Sequence, residues 1–153
     1  MAVRIANGPF DPQGEQTAFV AGRTNAGALV SFVGYCRDRT ASDAVDGLFL
    51  DHYSPFTENE ITRILKEVGA RYDLLDALII HRVGMMNPGD PIVLVAVLSS
   101  HRNQAFEAAR ILMDYLKTDA PLWKKEEGPG RARWVEPSAD DHTRRAAAER
   151  GNG

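Results

Sequence analysis

Cysteine is almost absent from this chain, in which Cys36 is the single cysteine among 153 residues. One cysteine cannot form an internal disulfide, so the sequence is not that of a disulfide-stabilised domain. The N-terminus lacks a basic region followed by an apolar stretch, and no apolar run approaches the length that spans a bilayer. These absences predict a cytoplasmic protein that does not associate with membranes.

The chain also lacks a large excess of either charge, since its formal net charge is -3. Without a global basic field, non-specific nucleic-acid binding is not expected, and any anion site has to be local. The four histidines do not fall at metal-ligand spacings, and there is no HExxH pattern. The sequence therefore predicts no nucleic-acid partner, no metal and no cofactor.

What is present is an ordinary globular composition, with 44% hydrophobic and 25% charged residues. We expect one domain over residues 1–136 and a polar, flexible tail over 137–153. Short apolar or β-branched runs predict strands at Val3–Ala6, Ala28–Tyr35, Val45–Tyr53, Ala77–Val83, Ile92–Ser99 and Arg131–Glu136. The pattern indicates a mixed α+β domain with a mainly antiparallel sheet and at least two packed helices.

Most of the candidate chemistry lies between Ser99 and Glu126. His101 and Arg102 stand where an apolar strand gives way to a helix, and Lys117 comes at the far end of that helix. Helical spacing assigns one apolar stripe to Phe106, Ala109, Met113, Leu116 and Lys117. Lys117 is therefore expected to border the core, although a lysine in a last helical turn also simply complements the helix dipole.

Two further lysines, Lys124 and Lys125, follow shortly after Pro121, which ends the helix. Three ammonium groups near one another repel, and partial burial adds to that effect. One lysine would then have a lowered pKa and supply a neutral amine for proton transfer or nucleophilic attack. Otherwise the group would form a cationic site for phosphate or carboxylate.

These motifs carry a resemblance to a known family. The HR pair, the helix ending in YLK, the APLWKKE segment and the closing RWVE resemble the catalytic (large) subunit of molybdopterin synthase. Three other segments agree in order, namely GALVSFVGYCR at 27–37, LDHYSPFTENEI at 50–61 and IIHRVGMMNPGD at 79–90. The resemblance covers residues 3–136, and the combination is far more specific than any single motif.

The resemblance implies an α/β hammerhead-type fold with a small β subdomain. It also implies a homodimer within a heterotetramer, in which each large subunit binds a small ubiquitin-like sulfur-carrier subunit. The implied reaction is the transfer of two sulfur atoms, from a C-terminal thiocarboxylate of the carrier, to cyclic pyranopterin monophosphate. The product carries the dithiolene of molybdopterin, and the reaction belongs to molybdenum cofactor biosynthesis.

Site residues follow from the same resemblance, position by position. Lys117 and Lys124 are implied to be catalytic. The residues implied to bind or enclose the substrate are Arg37, His101, Arg102, Lys125 and Glu126. Cys36 is left out of catalysis, because a lone cysteine is more often a small core residue and the family's sulfur comes from the partner.

Two other function classes stay open on the residues alone. The first is a non-catalytic module that binds a carboxylate-ended peptide of a ubiquitin-like partner through the cationic cluster. The second is a phosphate-ester or acyl-transfer enzyme that uses His101 as its base. No serine or cysteine nucleophile with an identifiable orienting acid supports this second class.

Overall fold

The computed structural model describes residues 1–39, 44–128, 131–135, 142–143 and 146–147. The predicted polar tail lies outside these ranges apart from the last two pairs. The polar segment 40–44, for which a loop is expected, also lies outside them apart from Ala44, which forms an isolated bridge with Arg39. In the described residues, no helix combines the length and the apolar character needed to cross a bilayer. The elements in chain order are β1 (Ala2–Ala6), α1 (Pro12–Val20), β2 (Ala28–Tyr35), β3 (Gly47–His52), α2 (Phe56–Arg71), β4 (Asp76–Arg82), β5 (Gly84–Met86), β6 (Pro91–Ser99), α3 (Arg102–Thr118), β7 (Leu122–Gly128) and β8 (Arg131–Val135).

The larger of two four-stranded sheets has the order β1-β4-β6-β2, and only its β1–β4 pair is parallel. Its two central strands come from the most apolar runs of the sequence, and Ile79, Leu94 and Val95 are fully buried. Helices α2 and α3 cover one face, while α1 packs on the other. Each large aliphatic side chain buried here contributes about 1.5–3 kcal/mol, so this layer fixes the position of α3.

The smaller sheet has the order β5-β3-β7-β8 and forms the expected small β subdomain. The strands predicted at Ala28–Tyr35 and Val45–Tyr53 follow each other in the chain and are expected to pair. This expectation is wrong, because β3 pairs with β5 and β7 instead. The chain passes from the first sheet to the second within one residue, Val83, followed by Gly84 with φ of 82°. A glycine adopts this left-handed conformation without steric cost. The predicted mixed α+β class, with mainly antiparallel pairing, is confirmed.

The β-branched and aromatic residues of Ala28–Tyr35 favour a buried strand, but β2 is an edge strand of the first sheet. Leu29, Phe32 and Tyr35 are all exposed. A short β-branched run does not distinguish a central strand from an edge strand, since both present at least one covered face. A glycine inside a strand often marks a bulge, and a shift in register between Gly34 and Tyr35 confirms the bulge expected there.

Helix α3 buries a stripe that differs from the predicted one by about one position. Ala105, Ala108 and Leu112 are fully buried, whereas Phe106 is 62% exposed. The small residues allow the helix to approach the sheet closely, so the stripe is centred on alanines rather than on the larger phenylalanine. From Arg102 to Lys117 the helix spans about 23 Å at the ordinary rise per residue.

Candidate functional site

Lys124 lies in strand β7, whereas the sequence of Ser99–Glu126 predicts a strand, a helix and then a loop. Its backbone pairs with Leu50 of β3 and with Val135 of β8. Because side chains alternate along a strand, Lys124 and Glu126 share one face. Their Nζ and Oε1 atoms are 3.8 Å apart. Lys125 points to the opposite face, so the structure does not bring all three predicted lysines together.

The surroundings of Lys124 lower the pKa of its ammonium group. Burial of the ammonium lowers the pKa of Lys124 below the ordinary lysine value, and the positive charges of Lys117 and Arg37 lower it further. Glu126 opposes this change. The Lys124 side chain is nevertheless 40% exposed, so it is accessible to a ligand. At a given pH it therefore provides more neutral amine than an isolated lysine does.

Three separate segments supply the cationic cluster of Arg37, Lys117 and Lys124. Lys117 lies in the last turn of α3 and Arg37 follows the end of β2, and both are exposed. Lys124 comes from the second sheet. The positive charges of Arg37 and Lys117 both act on Lys124, and Glu126, a fourth predicted site residue, lies beside it. An anion bound here would face two ammonium groups and one guanidinium, which can bind a phosphate or carboxylate bidentately.

Cys36 anchors the backbone next to Arg37. Its N–H donates to the carbonyl of Asp90 at 2.9 Å, and its own carbonyl accepts from the N–H of Gly89 at 2.7 Å. Burial raises the pKa of the Cys36 thiol, although the charge of Lys124 acts in the opposite direction. The thiol therefore stays protonated and packs with Leu48 and its neighbours in the small core. This arrangement agrees with a structural role for Cys36.

Thr57 holds β7 close to the start of α2, a role that sequence reasoning missed. Thr57 followed three residues later by Glu60 has the spacing of a capping box, but the described residues show no side-chain hydrogen bond at the cap of α2. Instead the fully buried Thr57 hydroxyl donates to the carbonyl of Pro121 at 2.9 Å and accepts from the N–H of Tyr53 at 3.0 Å. This link fixes the connection from α3 to β7, and thereby the separation of Lys117 from Lys124.

His101 and Arg102 lie at the other end of α3, about 23 Å from Lys117 along the helix axis. They line an open depression of about 490 Å³ together with Gly27, Ser100, Asn103 and Gln104. Gly27 is required here, since an added Cβ would lie 2.2 Å from the Ser100 carbonyl oxygen. No described side chain caps this helix end and no acidic residue occurs in its first turn. The local charge suits an anion, but one chain does not bring this pair to the lysines.

Aromatic side chains flank β7. As a large apolar residue next to Lys124, Trp123 is expected to anchor this segment, yet it is 42% exposed. Its ring meets that of Tyr53 edge to face, with the centroids 5.2 Å apart and the planes at 85°. Phe56, at the start of α2, is also exposed. Trp123 shares a face of β7 with Lys125, so this aromatic pair lies on the opposite side of the strand from Lys124.

Comparisons with known proteins give a consistent result. Residues 5–119 match the protein family described as MoaE protein. The molybdopterin synthase catalytic subunit of Pseudomonas aeruginosa is 46% identical over 150 residues, which is 98% of each chain.

Solved structures agree with these sequence matches. The molybdopterin biosynthesis MoaE protein from Burkholderia ambifaria is 42% identical, with a TM-score of 0.80 over 100% of both chains. Molybdopterin synthase from Staphylococcus aureus is 29% identical, with a TM-score of 0.79 over 86% of this chain and 95% of the other. The matched regions include both the cluster of Arg37, Lys117 and Lys124 and the pair of His101 and Arg102.

Proposed function

This chain belongs to the MoaE family of molybdopterin synthase catalytic subunits, and from this premise we propose how its residues carry out sulfur transfer. The substrate is cyclic pyranopterin monophosphate, and the sulfur donor is the C-terminal thiocarboxylate of a small ubiquitin-like carrier. The name "catalytic subunit" itself supports a second, non-identical subunit. The cytoplasmic location expected from the sequence is part of this proposal.

One observation carries the proposal, namely the convergence of Arg37 and Lys117 on a partly buried Lys124. Sulfur transfer to the pterin passes through anionic intermediates and requires proton movement. Lys117 orients or polarises the thiocarboxylate carbonyl, while Lys124 stabilises negative charge or moves protons. Its lowered pKa suits the second role, because a neutral amine accepts a proton. Arg37 binds the substrate phosphate.

The helix length leads to a second part of the proposal. His101 and Arg102 cannot contact a small substrate that also contacts Lys117 of the same chain, since about 23 Å of helix separate them. In the expected homodimer, the His101–Arg102 end of one protomer lies beside the lysines of its partner. Each substrate pocket then contains residues of both protomers, with Lys125 and the aromatic side chains outside the reacting centre.

The first experiment is a single-turnover assay with cyclic pyranopterin monophosphate and thiocarboxylated carrier, in which dithiolene product is followed by mass. Lys117→Ala and Lys124→Ala should each lower the rate constant by about 10²-fold or more, as for other electrostatic and acid–base groups. Lys66→Ala, at an exposed lysine of α2, is the matched control and should react normally. Normal turnover by folded Lys117→Ala and Lys124→Ala would refute the assignment. Carrier binding without product from the wild type would instead favour a non-catalytic binding module.

The second experiment tests the shared pocket with mixed dimers of two inactive variants, His101→Ala and Lys117→Ala. If the pocket combines residues of two protomers, a mixed dimer contains one site with neither substitution, and activity reappears on mixing. If His101 and Lys117 act within one chain, every site in the mixed dimer carries one substitution. Mixing would then restore nothing, and the shared pocket would be refuted.

A further inference from the structure

Arg82, the last residue of β4, is a buried cation that the described mechanism does not use. Its Nη1 donates to Asp90 Oδ2 at 3.1 Å and its Nη2 donates to the carbonyl of Met85 at 3.0 Å. Arg82 belongs to the first sheet and Met85 to the second, while Asp90 closes the turn that leads to β6. One guanidinium therefore connects the two sheets at their junction.

The first arm of this network leads to Arg37. Asp90 Oδ2 also accepts from the N–H of Asn87 at 2.9 Å, which closes the turn over residues 87–90. The same turn holds Cys36 through the two backbone hydrogen bonds already described. Arg37 is the next residue along the chain. The position of Arg37 thus depends on the carboxylate that Arg82 holds.

The second arm leads to β7. Met85 is the register partner of Phe49 in β3, and Phe49 is the partner of Lys125 in β7. Lys124 is the adjacent residue. Because Arg82 binds the backbone of Met85, it fixes the edge of the second sheet against the first. Lys117 belongs to α3, which packs on the first sheet. The separation between Lys124 and Lys117 therefore depends on that junction.

The energetics favour a geometric role for this cation. Arg82 is only 7% exposed, and its Nε has no hydrogen-bond partner among the described residues. Burying a guanidinium is costly, and apolar side chains of similar volume often stabilise a fold as well or better. A fork of two fixed N–H donors, however, orients two acceptors at once, which an apolar side chain cannot do.

We propose that Arg82 is a positioning residue of the sulfur-transfer site, which sets the spacing of Arg37, Lys117 and Lys124 through Asp90 and Met85. It touches neither substrate nor carrier. This inference rests on the proposed function, but the geometry it predicts is measurable without any substrate.

The decisive variant is Arg82→Lys, which keeps the positive charge and loses the two-pronged fork. Its matched control is Arg63→Lys, at an exposed arginine of α2 that binds Glu60 and Glu67. In the single-turnover assay, Arg82→Lys should lower the rate constant by about tenfold to a hundredfold, the effect of a displacement near 1 Å at a reacting centre. Carrier affinity should not change. Arg63→Lys should react as the wild type does.

The second readout is the titration of Lys124 by NMR, with ¹³C-methylated lysines and assignment by Lys124→Arg. In the wild type, the Lys124 resonance should report a pKa below that of an ordinary lysine. In Arg82→Lys its pKa should rise, because the cationic neighbours move apart and water enters. A merely structural role would lower the folded fraction but leave this titration unchanged. Asp90→Glu, which keeps the charge and shifts the carboxylate by one methylene, is the second variant and should raise the pKa in the same direction.

The outcomes separate this inference from the proposed function. Unchanged rate constants per folded molecule and unchanged Lys124 titration, in whichever of the two variants folds, would overturn the positioning role. A shifted titration in Arg82→Lys, with no product from any form including the wild type, would support positioning and refute sulfur transfer. A shifted titration together with a slower reaction would support both.

Discussion

Lowering the pH from 7 to 5 is expected to destabilise this fold through a buried histidine, His81. The side chain lies in β4, and its Nδ1 is 3.0 Å from the carbonyl oxygen of Arg82. Since a carbonyl oxygen only accepts, Nδ1 carries the hydrogen. Burial lowers the pKa of His81 from 6.5 to about 4, although this hydrogen bond acts in the opposite direction. His81 is therefore neutral at pH 7 and is not an acid for catalysis.

The magnitude follows from the two pKa values. In the unfolded chain His81 binds a proton near pH 6.5, whereas in the fold it does so only near pH 4. Between these values the unfolded state binds more protons, so the free energy of unfolding falls as the pH falls. Each pH unit within this window costs up to about 1.4 kcal/mol, which amounts to about 2 kcal/mol between pH 7 and pH 5. The pH dependence contributed by this residue fades as the pH rises above 6.5, where the unfolded chain also loses the proton.

The assay is chemical denaturation of the wild type and His81→Gln at pH 7 and pH 5, at one protein concentration. Glutamine does not titrate, so the loss of unfolding free energy on acidification should be smaller in the variant by about 2 kcal/mol. His142→Gln, at an exposed histidine, controls for the substitution and should behave like the wild type. Parallel losses in the wild type and His81→Gln would refute the reasoning that His81 is buried in its neutral form.

Two further predictions concern the lysine site. Thr57→Val removes a buried hydroxyl that both donates and accepts, so it should lower the free energy of unfolding by about 1–3 kcal/mol. Thr57→Ser, which keeps the hydroxyl, should lose much less in the same denaturation experiment, and equal losses would contradict the role of this hydrogen bond. Glu126→Gln removes the negative charge 3.8 Å from the Lys124 ammonium, so the pKa of Lys124 should fall further. NMR titration measures this, and an unchanged or higher value would show that Glu126 does not act on Lys124.

The first sheet was predictable because its central strands are encoded locally. Ala77–Val83 and Ile92–Ser99 are mostly apolar, as expected for strands covered on both faces, and only His81, Arg82 and Ser99 interrupt them. The observed bounds, Asp76–Arg82 and Pro91–Ser99, agree within one residue. The start of α1 is also encoded locally, because Asp11 followed by Pro12 predicts a helix N-terminus. In the structure the Asp11 side chain accepts from the N–H of Gln13, and Pro12 lies in the first turn.

Strand β7 was not predictable, since its formation depends on distant partners. The segment after Pro121 contains consecutive charged residues, and these have low strand propensity. It becomes a strand because it lies between β3, which is about 70 residues earlier in the chain, and β8, which follows it closely. This pairing decides the face of each side chain, so it also decides that Lys124 and not Lys125 joins the cluster. In a segment predicted as a loop, side chains do not alternate between two faces, so the prediction could not separate Lys124 from Lys125.

Helix α3 contained more information about the site than the motif comparison used. The spacing of fifteen residues between Arg102 and Lys117, once assigned to a helix, already requires about 23 Å between them. A site that contains both ends cannot belong to one chain, whatever fold surrounds the helix. The sequence thus placed a geometric limit on its own candidate site. What it did not show was the junction at Arg82, where one side chain contacts both Met85 of the second sheet and Asp90 of the turn that leads to β6.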